Sequence, residues 1–444
     1  MPRHPIVLVA ALLLLAGIAT AQATTRPKTF DPLSGLDADG RIPKPQLPGD
    51  LPNPERWRYT PAGRIAPGNV FERFLVSSFF SPVVFREDDI GFGGGFAFTD
   101  LDFRNQRYRE FANIVMTHSE EGQQAYSIFW ARWLHHRDLA SGGIVREERG
   151  RVFARAGYGK TLTRRFFGFG SRTPASAETS FTHETSEVGL GVRDALFEPG
   201  GDWLYQAELL ALHHNLSRGR VSTVPGTDQV YPELTASGDG NDELLLVASF
   251  AHDTRDSLHQ PYSGHRLGVS THSSWHSGGE YGAVFGVDAR HYLTVPPLFH
   301  RGAAGDEENP PTDTVAIGGF VQDTIGELPF YSLPSLGGGD TLRSFVPNRF
   351  TDRAVAHASV EYRFGIIPRG ITFTDTVRIE RVSLALFHEW GAVAADLDGL
   401  DDARWHHSTG VGLRLGFARE AIFRLDIGYG DEGSNFTLAF GNSF

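Results

Sequence analysis

The residues able to do chemistry in this 444-residue chain are mainly guanidinium and carboxylate groups set two positions apart. Phe387, Glu389 and Gly391 alternate along one stretch, as do Glu361 with Arg363 and Arg424 with Asp426. Arg381 and Arg414 sit on similar alternating segments. A spacing of two puts residues on one face of a strand. A second feature is the segment 333–345, in which Gly337, Gly338 and Gly339 precede Asp340, Arg343 and Phe345. A long loop with three glycines can fold back into a polar interior. Arg343 at its tip would then meet Glu389 in a charge-assisted pair. Such a pair fixes a loop's register even where its net stabilisation is small.

Other chemistry is poorly represented. There is no cysteine, which excludes a disulfide scaffold and any thiolate metal site. The formal charge of −12 excludes a general nucleic-acid binder, although 38 of the 41 basic residues are arginine. The histidine pairs His135-His136, His213-His214 and His406-His407 each offer one inward ligand on a strand and fall at different ends of the molecule, so neither a metal site nor a cofactor is expected. No Gly-x-Ser-x-Gly elbow occurs, and no βαβ unit follows the glycines at 91–95. The chain reads as a non-enzyme.

The elements that must position these residues are strands. From about Phe71 onward, segments of about ten residues alternate in polarity between Gly, Asp, Pro and Ser turns. Val360 and Tyr362 oppose Glu361 and Arg363; Leu384, Leu386 and Trp390 oppose Arg381, Phe387 and Glu389. Val411 and Leu413 oppose Arg414; Leu425 and Ile427 oppose Arg424 and Asp426. Uniformly apolar faces backed by charged ones, with aromatics near the ends, are the pattern of a transmembrane β-barrel with a polar lumen. Sixteen strands are expected, starting near Phe71, Phe92, Arg109, Gln123, Arg151, His183, Trp203, Leu244, His265, Tyr281, Thr312, Ala354, Arg378, His407, Ala421 and Asn435. An even count puts both termini on the periplasmic side. The long connections 217–242, 299–313 and 328–353 are expected at the other, extracellular end or folded into the lumen.

The N-terminus supplies an address. Arg3 and His4 precede an apolar run over 6–18 that ends in Ala19-Thr20-Ala21, a secretory signal over 1–21. Residues 22–70 are rich in proline and read as a periplasmic lead, mostly disordered. The all-β barrel then occupies 71–444.

Several stretches resemble one family. The loop 333–345 resembles the sixth extracellular loop of the BamA/TamA-like surface-antigen barrels, with Ser344 in place of a glycine. Phe167-Gly168-Phe169-Gly170 is similar to the family's aromatic-Gly-x-Gly element. Asp253-Thr254-Arg255-Asp256 with Pro261-Tyr262-Ser263-Gly264 is similar to its Asp-x-Arg-Asp turn. Phe387-His388-Glu389-Trp390-Gly391 is similar to its Phe-x-Asp-x-Gly strand, with glutamate for aspartate. The C-terminal series Phe436, Leu438, Phe440 and Phe444 resembles the sorting signal read by the barrel-assembly machinery, which would then be a partner for the chain's own insertion. The stretch between signal and first strand is too short for the POTRA domains of family relatives.

The resemblance implies a bacterial outer-membrane location in contact with lipid. It also implies insertion or translocation of client proteins, or lipid handling, through a seam between the first and last strands. Arg343, Phe345, Phe387, Glu389 and Gly391 would form the loop latch, and Glu361, Arg363, Arg381, Arg414, Arg424 and Asp426 the lumenal charges. The alternatives are a passive porin and a structural surface antigen.

Overall fold

Strand-forming alternation is carried through almost the whole chain. A computed structural model describes residues 44–65, 77–87, 89–302, 307, 310–372, 378–417 and 421–444. The signal, the start of the lead and the first expected strand residues near Phe71 lie outside the described residues. Sixteen strands form one antiparallel sheet in chain order. They are β1 (Ser78–Glu87), β2 (Gly91–Asp100), β3 (Glu110–Ser119), β4 (Gln124–Trp133), β5 (Arg151–Phe166) and β6 (Thr179–Ala195). There follow β7 (Trp203–Arg218), β8 (Asn241–Asp253), β9 (Gly264–His276), β10 (Tyr281–Val295) and β11 (Asp313–Gly326). The last five are β12 (Ala354–Ile367), β13 (Arg381–Ala394), β14 (His406–Phe417), β15 (Ala421–Gly430) and β16 (Gly433–Phe440). Apart from β1, these starts fall within about four residues of the sequence reading, as strand ends usually do.

The sheet wraps on itself into a barrel. Ser171, between β5 and β6, makes 2.7 Å hydrogen bonds with the backbone of Val393 on β13, and Asn442 beyond β16 donates to the carbonyl of His259 between β8 and β9. The two faces differ sharply. Leu190, Leu209, Leu267, Val287, Leu386 and Tyr429 stand exposed on the outside, whereas Glu361, Glu389, Arg424 and Asp426 are fully buried inside. So extensive an exposed apolar band is a lipid-facing surface. No helix among the described residues is long and apolar enough to cross a membrane; the strands do so, with every ladder hydrogen bond made between neighbours. Among the described residues no ladder joins β1 to β16.

Three expectations need correction. First, the lumen is not charged all round. Register places Phe111, Ala131 and Phe153 in one inward row across β3–β5; Phe129 stacks on Phe153 and meets Phe111 edge-on, each at 6.0 Å, and Arg151 lies over Phe129 and Phe153. Second, the connection around 299–313 joins β10 to β11, an even-to-odd link, and lies at the end that carries the termini. Third, part of the lead is ordered. Trp57–Thr60 pairs antiparallel with Ile144–Glu147, which also pairs with His136–Asp138, so a three-stranded sheet caps the barrel between β4 and β5. Arg58 bonds Glu148, Arg56 reaches Asp202 at 3.3 Å, and Trp57 donates to the Pro52 carbonyl at 2.8 Å. The prolines end this strand; they do not prevent it.

Removing 44–65 should therefore leave the barrel folded but strip Ile144–Glu147 of a backbone partner. Limited proteolysis is expected to cut within 134–150 in the truncated protein and not in the intact one, with the slower-migrating unheated barrel band kept in both on gel electrophoresis.

Candidate functional site

Backbone register builds the site. Across β12–β16 one inward row reads Glu361, Phe387, Gly410, Gly428 and Asn435, each opposite the next. The neighbouring row reads Ser359, Glu389, Ser408, Gly430 and Gly433, and the row on the other side Arg363, Ala385, Gly412, Asp426 and Thr437. The rows thus combine charged groups with a floor of glycines. A Cβ on Gly428 would lie 2.7 Å from the backbone of Arg343 and Ser344, and one on Gly430 would lie 2.3 Å from the Ser344 hydroxyl. These glycines let a second layer of backbone lie directly on the strands.

That second layer is the loop between β11 and β12. It folds into the lumen on its own apolar cluster of Leu336, Leu342, Phe345 and Phe350, packed against Val355 and Val393. Ser335–Leu336 pairs with Phe350–Thr351 to close its base. Gly337 and Gly338 take the left-handed backbone that the descent requires, at φ 110° and 103°. The other left-handed residues of the loop are Leu342 and Asn348. Ser344 is not among them, so its backbone does not require the glycine it replaces.

At the loop tip Arg343 is 0% exposed. Its Nε donates to Glu389 Oε1 at 3.0 Å, and its Nη1 donates to Glu361 and Asp426, each at 3.0 Å. Its backbone N–H donates to Glu389 Oε2 at 2.8 Å. The guanidinium carbon lies 3.4 Å from the centre of the Phe387 ring, which takes one face of the cation. Arg414 bridges Asp426 at 2.5 Å and Glu361 at 3.1 Å, and Arg363 donates to Glu361 at 2.8 Å. Arg424 ties Asp426 at 3.5 Å to Asp340 of the loop at 2.6 Å. Four guanidiniums thus face four carboxylates. Burial alone would make the Arg343 cation easier to deprotonate; Glu361, Glu389 and Asp426 outweigh it and raise the group above the ordinary arginine range, so it stays charged.

Arg343 and Glu389 thus meet, and Glu361, Asp426 and Phe387 meet them at the same point. Gly391 leaves room for Leu336 of the loop, whose Cδ1 would lie 2.7 Å from an added Cβ. The aromatic-glycine element at 167–170 docks on the same loop: Phe169 bridges Thr351, and Gly170 donates to its carbonyl at 3.0 Å. Arg381 does not join. It sits at the other end of β13 and bonds Tyr262 of the β8–β9 turn. That turn holds Asp253 and Arg255 in a bidentate pair of 2.7 and 3.0 Å, again remote from the loop.

The C-terminal series divides. Phe436 and Leu438 face outward, and the backbone of Phe440 pairs with Phe423. Phe444 leaves the strand, which ends at Phe440. Its ring turns inward against Gly318, 2.7 Å from where that glycine's Cβ would be, and lies 5.5 Å from the Arg363 guanidinium. A glycine gap and an inward cation hold it there in place of a lipid contact.

Several residues were not legible beforehand. Arg349 binds Glu432 at 2.6 and 2.7 Å and Thr173 at 2.7 and 3.0 Å, joining the loop to two others. Asn435 donates to the carbonyls of Arg343 and Phe345, and Ser408 accepts from the Ser344 N–H at 2.9 Å. None carries a periodic signal except Ser408 and Asn435, which share the inward faces of β14 and β16.

A sixteen-stranded outer-membrane barrel with an inward loop held by a buried arginine is the class this fold and site define. The chain belongs to the Omp85 superfamily, whose domain matches residues 110–444. Among solved structures it is similar to BamA from Haemophilus ducreyi lacking POTRA domains 1–3, at 14% identity over 82% of this chain and 69% of that one, with a TM-score of 0.49. It is also similar to CdiB from Acinetobacter baumannii, at 11% identity over 82% and 58%, with a TM-score of 0.46. No curated protein matches the chain.

Replacing Arg343 by alanine leaves three buried carboxylates short of a cation, which should cost the docked loop about 3–5 kcal/mol. Arg343→Lys should recover only part of this, because an ammonium cannot make the planar fork. Added protease should cut within 333–345 in both variants, faster in the alanine one, while the wild type resists. Gly428→Val should release the loop in the same assay with every charge in place.

Proposed function

We propose that this chain inserts or translocates proteins at the outer membrane by opening laterally between β1 and β16. The observation that carries the reading is the state of the two edges in a member of this superfamily. Fifteen ladders hold β1 through β16, and among the described residues none closes the pair. β16 has only eight residues, and beyond it the Phe444 ring turns into the lumen. β1 carries Pro82, which suits an edge strand because it cannot donate to a ladder. An edge with free N–H and C=O groups is a template for an incoming strand. The latched loop braces β12–β16 from inside, so one side of the seam stays rigid while the other can move.

Export by the N-terminal signal, contact with outer-membrane lipid and transient pairing with client strands belong to the same reading. Membership of the Omp85 superfamily supports this reading.

Reconstituting the whole chain into liposomes of outer-membrane lipid tests it. Urea-unfolded barrel clients should insert at least several-fold faster than into empty liposomes. A disulfide engineered between β1 and β16 should abolish the gain until reduced. A large, stable, ohmic conductance with no acceleration of client insertion would instead identify a passive porin.

A further inference from the structure

The periplasmic rim carries a second constellation that the loop latch does not use. His135 follows β4, Glu147 ends the capping strand Ile144–Glu147, and Asp194 is the penultimate residue of β6. Their ligand atoms all lie within 4.8 Å of one another. His135 Nε2 is 3.0 and 3.2 Å from the two Asp194 oxygens. We propose that these three residues bind one divalent transition-metal ion, of which zinc is the best fit, and that the ion fastens the periplasmic cap to the barrel wall.

The donor set suits zinc. One imidazole nitrogen and two carboxylates, with a fourth position left for water, make an ordinary open zinc site. Two carboxylates also balance a dication. The supporting contacts fix the ligands from behind, as outer-shell groups do. Glu147 is 0% exposed, and its two oxygens accept the backbone N–H groups of Arg149 and Gly150, both at 2.7 Å. Asp194 Oδ1 accepts the Ala195 N–H at 2.8 Å. Each carboxylate keeps a lone pair free for a metal.

The space is provided by a missing side chain. A Cβ on Gly150 would fall 2.5 Å from Asp194 Oδ1 and 3.1 Å from His135 Nε2, among the ligand atoms. Gly150 is not among the left-handed glycines, so its backbone does not account for the residue. An open spot bordered by these two donors does.

The consequence is mechanical. Glu147 belongs to the strand on which Trp57–Thr60 is paired, and Asp194 to the barrel wall. An ion joining them would couple the lead, the cap and the wall. Loss of the ion should loosen the cap without touching the loop latch at the opposite end.

The full-length protein in detergent, stripped with a chelator, should bind zinc at one ion per chain by calorimetry. Cobalt in its place should give visible absorption bands of a low-coordinate site. His135→Ala, Asp194→Asn and Gly150→Ala should each lower zinc affinity at least tenfold, while His213→Ala, which alters a histidine at the other end, should not. Zinc should also slow proteolysis within 134–150 in the wild type and not in Asp194→Asn. The unheated gel band establishes that each variant is folded. No stoichiometric zinc in the wild type, or equal affinity in folded His135→Ala, would overturn the proposal.

Discussion

A guanidinium with no access to water must be matched by its surroundings, and in this molecule that requirement shapes the lumen. Arg343 is carried inside by a loop, not a strand, so the match has to be assembled from three separate strands. Glu361, Glu389 and Asp426 come from β12, β13 and β15, and Phe387 supplies the face of the cation. Taking these charges out of water is expensive, and the return in net stability is small. What the arrangement secures is position. A loop displaced by one residue would leave a buried cation and Glu389 unmatched at once, and would take one cation from Glu361 and Asp426.

The latch makes demands on the sheet beneath it. Small residues must pave the strands where the loop lies; Gly428 and Gly430 do so, while Gly410 makes room for the Phe387 ring. The loop needs its own apolar cluster, because the barrel interior at this level is charged. Arg349 then links the loop base to the connections after β5 and β15. These contacts concentrate rigidity in the C-terminal strands. The N-terminal strands β3–β5 present phenylalanines among arginines on their inner face, and among the described residues β1 stands at the sheet edge.

Much of this was legible from the residues. In β12–β16 one face is apolar and the other charged, and Glu361, Glu389, Arg424 and Asp426 of the charged face are buried. The spacing of Phe387 and Glu389 marks them as partners on one face, and the glycines before Arg343 mark a loop that can enter the lumen. The convergence of Glu361 and Asp426 on that arginine was not legible. It depends on register between strands that are 65 residues apart in the chain, which no local pattern encodes. The inner face of β3–β5 was ambiguous because it mixes Phe111, Phe129 and Phe153 with Arg151 and Arg155. Phe444 read as a strand residue because its spacing fits, yet the strand ends four residues earlier and a gap at Gly318 takes the ring. The pairing of Trp57–Thr60 was hidden by proline density, which describes local stiffness and not tertiary partners.

The central claim is that the loop rests inside the barrel, on the floor of glycines, because Arg343 holds it there. Gly339 and Thr437 offer the most direct test. A Cβ on Gly339 of the loop would lie 3.0 Å from Thr437 Cγ2 on β16, within reach of a disulfide, and the chain contains no cysteine of its own. Gly339→Cys with Thr437→Cys should form a disulfide in intact outer membranes, and adding Arg343→Ala should suppress it. If the two cysteines stay reduced and both react with a bulky thiol reagent in the folded barrel with Arg343 intact, the loop is not seated there and the account fails.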